Sequence, residues 1–310
     1  MSTPILTTGE TAELDTPRVA TPPSGSGKAH PRYGTHLLLI AMSVLWLAPL
    51  LWTLYTSLRS KADTDKHTYW SIAKTLSFKN YSDAWSQGGF GKAFTNSAII
   101  TIPSVLLTIG LASMVAFAVA RFTWKFNVTV LILFTAGNML PPQVLAAPLF
   151  EMAKHTPLPY SASDSGSFIN TYYSVIAVDV AFQLGFCTFV LSNYMKALPA
   201  DLTEAALMDG CGVWRMYRQI ILPLCRPALA ALGTLEVIWI YNDFFWPLLF
   251  IQRGDRLPVT TAIQNLQGEF LSNYNLIAAG ATITLVPTLV VYLALQRQFV
   301  AGLTLGGSKG

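Results

Sequence analysis

A short glycine-containing stretch near the N-terminus is the only candidate in the sequence for a nucleotide-binding loop. Residues 25–29 read Gly-Ser-Gly-Lys-Ala. A phosphate-binding loop has a glycine five residues before its last glycine and a Ser or Thr after the lysine, where the hydroxyl contacts Mg²⁺. Those two positions are Pro22 and Ala29. We therefore predict no nucleotide site in this chain.

Neither the cysteines nor the histidines have the spacing of a metal, redox or catalytic site. The chain has three cysteines, Cys187, Cys211 and Cys225. Its four histidines are His30, His36, His67 and His155. No two cysteines form a Cys-x-x-Cys pair, and no nucleophile elbow or His-Glu-x-x-His pattern is present. These residues argue against an enzyme and against a bound metal, and the cysteines are expected to be small apolar core residues.

Polar side chains occur inside apolar segments, where they are energetically costly and usually face a cavity or the interior of a helix bundle. Asp179 and Gln183 are four residues apart and share one helix face. Glu236 and Asp243 are seven apart, and Asn242 lies beside them. One interpretation is that they line a solute path, for which Asp179, Gln183, Asn242 and Asp243 are the candidates. The other is that they form hydrogen bonds between helices.

The composition indicates a membrane protein. The 310 residues are 52% hydrophobic and only 12% charged, whereas a soluble domain carries about 25% charged residues. The net charge of +4 is modest, and the Lys and Arg residues are scattered, so the chain lacks the basic face of a nucleic-acid-binding protein.

Six segments have the roughly 20 mostly apolar residues that a spanning helix needs. They are 36–58, 94–120, 126–150, 172–195, 228–251 and 274–296. The third contains Asn138, Pro141 and Pro142, which predict a kink or break. The sequence therefore predicts an all-α integral membrane protein with six transmembrane helices.

The segments outside the spans divide the chain into three parts. Residues 1–35 are rich in Thr, Pro, Ser and Gly and are expected to form a disordered tail. The membrane domain is expected to run from 36 to 297. The first span begins too far from the start for a cleaved signal peptide. Residues 298–310 are predicted to be a C-terminal tail.

The loop 196–227 is predicted to contain two short helices. Asp201 is expected to be the N-cap of the first, with Glu204 at its third position, as in a capping box. Gly210 is expected to end this helix, because glycine tolerates a positive φ. A second helix is expected from 213 to 220, and Pro223 is expected to break the chain before the fifth span.

This loop carries a motif with fixed residue types and spacing. The pattern is Glu-Ala-Ala, three residues, Gly, nine residues, Ile, one residue, Leu-Pro. It resembles, at every fixed position, the EAA motif of ABC importer permeases, in which this loop is the coupling helix that docks on a cytoplasmic ATPase subunit. The resemblance implies the following coupling residues: Glu204, Ala205, Ala206, Leu207, Met208, Asp209, Gly210, Ile220, Leu222 and Pro223.

Two further segments resemble carbohydrate permeases, most closely the smaller permease of maltose-type systems. Residues 241–248 are similar to a Trp-Asn-Asp-Phe…Pro-Leu segment, with Tyr241 where Trp is commoner. Residues 298–310 are similar to a Gly-Leu-Thr…Gly…Lys-Gly ending, with Gly307 and Ser308 where Ala and Val are common. From about residue 33 onward the resemblance implies an ABC type I importer permease fold and a sugar or polyol as solute. It also implies that the tail contacts the ATPase through Gly306 and Gly307.

The resemblance implies partners and a location as well. We expect the partners to be a second permease, two ATPase subunits that bind ATP and Mg²⁺, an extracytoplasmic solute-binding protein and membrane lipid. We expect no cofactor on this chain and no nucleic acid as a partner. Basic residues do not decide the orientation, but a cytoplasmic coupling loop places both termini in the cytoplasm of an inner-membrane protein. Another solute class in the same superfamily remains an alternative. A secondary transporter, often built from repeats, has no use for the EAA loop.

Overall fold

The computed structural model describes residues 33–68, 70–267 and 273–304, with side chains as far as Gln296. Most of the predicted N-terminal tail lies outside the described residues, as do Gly306 and Gly307. The first helix begins at Tyr33, three residues before the predicted start of the membrane domain at 36.

The described residues form helices connected by turns and loops. The fourteen α-helices of the described chain are α1 Tyr33–Leu58, α2 Lys61–His67, α3 Lys79–Gln87, α4 Phe90–Arg121, α5 Asn127–Asn138, α6 Pro142–His155, α7 Tyr172–Ala197, α8 Asp201–Met208, α9 Val213–Met216, α10 Leu222–Leu224, α11 Arg226–Tyr241, α12 Phe245–Phe250, α13 Val259–Ala262 and α14 Tyr274–Thr304. A π-helical turn, Tyr217–Ile221, connects α9 to α10, and 3₁₀ turns lie at Gly254–Arg256 and Ile263–Leu266. The predicted all-α class is confirmed.

Four of these helices, α1, α4, α7 and α14, are long and apolar enough to cross a membrane. Two bent pairs raise the number of candidate spans to six: α5 with α6, bent by 98°, and the segment 213–224 with α11, bent by 75°. The predicted break in the third span is confirmed. Pro141 is extended, and Pro142 starts α6, where its missing N–H leaves no helical hydrogen bond unmade.

The helices subdivide or extend two of the predicted spans. The fifth, 228–251, is interrupted at residues 242–244 between α11 and α12. The predicted sixth span, 274–296, matches the apolar stretch Tyr274–Gln296, which is long enough to cross a membrane, and its helix continues to Thr304.

The chain divides into two compact units, residues 1–48 and 49–310. Of the first unit, the structure describes the N-terminal part of α1. In the second, α4 packs along α7, and α11 packs on both α4 and α14. Two apolar clusters fill these contacts, one of which joins α4, α7 and α11 to the predicted coupling loop.

Buried polar side chains tie together the loops at the end of the second unit opposite the coupling loop. Asn96 donates to the carbonyls of Asp255 and Leu257 at 3.1 and 3.0 Å, and it accepts from the hydroxyl of Tyr172 at 2.7 Å. Asn275 donates to the carbonyl of Thr56 at 3.1 Å. The segments 59–89, 156–171 and 251–267 therefore form one structured end.

Ion pairs reinforce this end. Arg59 Nε donates to Asp63 Oδ2 at 2.6 Å, and this bond lowers the pKa of Asp63 below its ordinary value. Asp164 accepts from both Arg253 and Arg256, which connects the loop after α6 to the loop after α12.

Candidate functional site

The first helix of the coupling loop is α8, and its start differs from the prediction. Ala200 is the N-cap and Asp201 is the first helical residue. The reason is that the Ala200 carbonyl already accepts from the amides of Thr203 and Glu204, at 2.8 and 3.2 Å. Asp201 and Glu204 lie in the first turn, where a carboxylate interacts favourably with the helix dipole.

The end of α8 is as predicted. Gly210 has φ +70°, a conformation that costs little for glycine. The amides of Gly210 and Cys211 donate to the carbonyls of Leu207 and Ala206 at 3.0 and 2.9 Å, which satisfies the end of the helix.

The second half of the loop is less regular than predicted. In place of one helix from 213 to 220, α9 is followed by the π-helical turn Tyr217–Ile221 and by α10. Pro223 lies within α10, near its start, where a proline fits. The predicted break at Pro223 is therefore wrong, and the chain turns at Cys225 instead.

The motif residues divide into an exposed set and a buried set. Leu207 and Met208 are 52% and 88% exposed, and Val213 and Trp214 add further exposed apolar surface. Ala206, one of the expected coupling residues, is buried, with its side chain in the apolar cluster beneath the loop. The remaining motif residues are exposed or half-buried: Glu204, Ala205, Asp209, Gly210, Ile220, Leu222 and Pro223.

The underside of the loop packs on the membrane helices. The rings of Tyr217 and Phe117 of α4 lie 5.3 Å apart, and the hydroxyls of Tyr217 and Ser113 are hydrogen-bonded at 2.7 Å. Ile221 and Met216 are completely buried in the cluster that contains residues of α7. The loop therefore packs directly on α4 and α7.

Three of the four candidate path residues line one cavity. Asp179, Gln183 and Asp243 border a space of about 350 Å³ between α5, α6, α7, α11 and α12. Aromatic rings complete the wall, contributed by Phe182, Trp239 and Trp246.

The structure does not bring Asn242 to this cavity. Its amide nitrogen donates to the Ile238 carbonyl at 2.7 Å, and its oxygen accepts from Thr288 of α14 at 3.2 Å. Asp243 also has a structural role, because its carboxylate accepts from the amides of Phe245 and Trp246 at 3.0 and 3.3 Å. These bonds satisfy two amides in the first turn of α12, whose N-cap is Phe244, and stabilise the break in the span.

Glu236 is completely buried and lies outside the residues that line the cavity. Cys187 Sγ donates to Glu236 Oε1 at 3.1 Å, which connects α7 to α11. This contact fits the interpretation of Glu236 as a link between helices. Among the described residues, no group of three or more His, Cys, Asp or Glu side chains could hold a metal ion.

The family comparison matches the part of the chain that contains both the loop and the cavity. Residues 108–304 match the family described as the inner membrane component of binding-protein-dependent transport systems. The chain belongs to this family. It is therefore an integral membrane transport subunit rather than a catalytic one, and the resemblance inferred from the EAA motif is confirmed.

Individual relatives cover most of this permease. It is 32% identical over 275 residues to the melibiose/raffinose/stachyose import permease protein of Bacillus subtilis (strain 168), covering 88% of this chain and 95% of the relative. It is 30% identical to the diacetylchitobiose uptake system permease protein of Streptomyces coelicolor, covering 88% and 87% of the two chains.

A solved structure shares the fold of this permease. It is a chain of a bacterial ABC transporter involved in the import of the acidic polysaccharide alginate, with a TM-score of 0.70 and 17% identity. The match covers 86% of this chain and 95% of that chain. This likeness confirms the predicted importer permease fold.

Several residues that build the permease's site were missed from the sequence. Tyr217 lies between fixed motif positions, so the motif alone gave it no role. Ser113 and Phe117 are four residues apart on α4 and share a face, but that spacing is equally typical of ordinary helix packing. The aromatic wall of the cavity, formed by Phe182, Trp239 and Trp246, was missed because aromatic residues occur throughout the apolar segments, so residue type alone gave no signal.

Proposed function

We propose that this chain is the permease subunit of an ATP-driven, binding-protein-dependent importer that moves a sugar or related polyol across the cytoplasmic membrane. Membership of the family supports the importer, and the names of the two relatives support a saccharide. The cavity adds chemical support, since carboxylate and amide oxygens bind hydroxyl groups while aromatic rings contact the apolar faces of a sugar.

We propose that the working assembly contains a second permease, two ATPase subunits and an extracytoplasmic solute-binding protein. ATP and Mg²⁺ then bind to the ATPase subunits, because the glycine-containing stretch 25–29 lacks two residues of a phosphate-binding loop. The tail with Gly306 and Gly307 is a further ATPase contact in this proposal, supported by its resemblance to the maltose-type ending.

The proposed orientation places the EAA loop and both termini in the cytoplasm. The loop lies where α4 and α7 end, and the hydrogen bonds from Arg121 to the Leu198 carbonyl join these two ends. The ion-paired loops at the opposite end of α4 then face the solute-binding protein.

The packing of the loop supports a route for coupling. Closure of the ATPase dimer moves α8 through its exposed Leu207 and Met208. The buried underside, with Tyr217 against α4, carries this movement into the spans. The cavity beside the breaks at 139–141 and 242–244 then alternates between the two sides of the membrane.

The observation that carries this function is the complete EAA motif on a loop whose apolar surface is exposed and whose underside is buried. We expect Met208→Asp to lower ATPase co-purification and solute uptake by about tenfold or more, because a charge is costly at the centre of an apolar interface. Met208→Leu is the matched control and retains both. Measurements are made on the assembled complex in proteoliposomes against a sugar panel. Normal uptake by Met208→Asp would contradict the docking role, and the absence of sugar uptake by the unmodified complex would contradict the solute class.

A further inference from the structure

The cavity wall contains acidic groups without basic ones. Asp179 and Asp243 contribute carboxyl groups and Asn138 and Gln183 contribute amides. None of the described residues that line the cavity is Lys, Arg or His. Acceptors for hydroxyl groups are therefore present, and a partner for an anionic group is missing from this wall.

Asp179 lines the cavity but has one carboxyl oxygen that is buried without a partner. The residue is only 4% exposed, and its Oδ2 atom is shielded from solvent and has no hydrogen-bond partner among the described residues. A buried polar group without a partner lowers stability, and a hydroxyl group that reached Asp179 from the cavity would supply one. A sugar hydroxyl has that donor, whereas a carboxylate has only acceptors.

Two further acidic residues lie near Asp179. The side chains of Asp243 and Glu236 are close enough to Asp179 to interact with it electrostatically. In the helices that form the cavity, Lys and Arg occur only near the helix ends, at Lys154, Lys196 and Arg226. A carboxylate that enters this region loses its hydration and finds no basic partner on the wall, which is costly.

We infer that this cavity accepts uncharged, hydroxyl-rich saccharides and rejects saccharides that carry carboxylate groups, such as uronates. This inference rests on the proposed function and narrows its solute class. The fold alone does not decide the preference, since the structural relative is involved in the import of an acidic polysaccharide. The side chains on the cavity wall decide it.

Direct binding to the permease–ATPase complex tests the inference without the selectivity of the solute-binding protein. The complex is placed in nanodiscs, and binding is followed by calorimetry and by quenching of tryptophan fluorescence, to which Trp239 and Trp246 contribute. The probes are a neutral oligosaccharide that is transported and the same compound with its terminal primary alcohol oxidised to a carboxylate. We expect the neutral compound to bind about tenfold or more tightly than the acid, since a carboxylate that loses its hydration without gaining a basic partner is costly to bury.

Two variants connect this preference to the cavity. Asp179→Asn is expected to narrow the ratio of the two dissociation constants severalfold, and Gln183→Arg to narrow or reverse it by supplying a positive charge. Thr188→Val is the matched control, because Thr188 is a buried residue of the same helix that does not line the cavity. It is expected to leave the ratio unchanged.

Three results would overturn the inference and leave the proposed function standing. They are equal binding of the two compounds, tighter binding of the acid, and a ratio of dissociation constants that neither variant changes. Uptake of the neutral compound without measurable binding to the complex would also overturn it. Failure of the complete transporter to take up any saccharide would instead overturn the proposed function.

Discussion

At the scale of single residues, Tyr217 connects the exposed coupling surface to the membrane helices. Trp214 lies against its ring on the loop side, with centroids 5.3 Å apart, and Phe117 lies against it on the α4 side. Its hydroxyl contacts Ser113, whose own hydroxyl donates to the Gly110 carbonyl at 2.8 Å. The Tyr217 hydroxyl is thus the donor to Ser113, and ring and hydroxyl both hold the loop on α4.

We expect Tyr217→Ala to uncouple ATP hydrolysis from uptake. The substitution removes a buried ring at a cost of about 3–5 kcal/mol, whereas Tyr217→Phe removes one hydrogen bond at a cost of about 1 kcal/mol. The measurement is solute taken up per ATP hydrolysed in proteoliposomes, normalised to the amount of assembled complex. This ratio is expected to fall strongly for Tyr217→Ala and little for Tyr217→Phe. An unchanged ratio for Tyr217→Ala would show that the loop does not transmit movement through this side chain.

At the scale of elements, the close approach of α5 to α7 positions the cavity. Gly185 of α7 has no room for a side chain, because a Cβ atom there would lie 2.5 Å from the Phe134 carbonyl oxygen and even nearer to Asn138. Asn138 itself donates to that carbonyl at 3.1 Å, next to the break between α5 and α6. Contact between the two backbones therefore holds the broken span against α7.

We expect Gly185→Ala to push α5 away from α7, lower the thermal stability of the purified complex and reduce solute binding. Gly233→Ala is the matched control, because a Cβ atom at this helical glycine meets no atom within 4 Å. Alanine there is expected to be neutral or stabilising by up to about 1 kcal/mol. The measurement is the melting temperature of each variant complex in detergent. Equal melting temperatures would mean that α5 and α7 can separate at little cost.

At the scale of the whole molecule, the second unit has two chemically different ends. One end carries exposed apolar side chains on the short helices of the EAA loop. The other carries ion-paired loops, in which burial raises the pKa of Asp255 while Arg253 and Lys92 outweigh that effect and lower the pKa overall. The two ends match the proposed partners, an ATPase subunit in the cytoplasm and a solute-binding protein outside.

The proposed orientation predicts which positions an impermeant thiol reagent reaches in intact cells. Ser82 and Asn265 lie on exposed positions of the ion-paired end, whereas Met208 is exposed on the coupling loop. In a cysteine-free background, Ser82→Cys and Asn265→Cys are expected to be labelled, and Met208→Cys only after the membrane is permeabilised. Labelling of Met208→Cys in intact cells would reverse the orientation. Ser192 and Thr203 are unsuitable positions, because both are buried.

Much of the architecture was predictable because it depends on local patterns. Apolar length predicted the spans, Pro141 and Pro142 predicted the break in the third, and the EAA spacing predicted a helix that ends at Gly210 with a positive φ. The errors have local causes too. Asp201 is not the N-cap because the helix starts with the Ala200 carbonyl. The interruption of the fifth span was missed because the sequence does not reveal that the Asp243 carboxylate accepts from amides of α12.

The sequence by itself determined the class of the protein, its family and the loop that identifies it, because apolar length and motif spacing are properties of neighbouring residues along the chain. Only the tertiary structure decided which side chains meet. Asn242 contacts α14 and Asp243 lines the cavity, although the two residues are adjacent in the chain. Likewise, Ala206 is buried while Met208 is exposed. The physical reason is that a side chain's surroundings depend on the helix face it occupies and on which other helix packs there. For α7, α11 and α12 that packing joins residues separated by tens of positions in the chain.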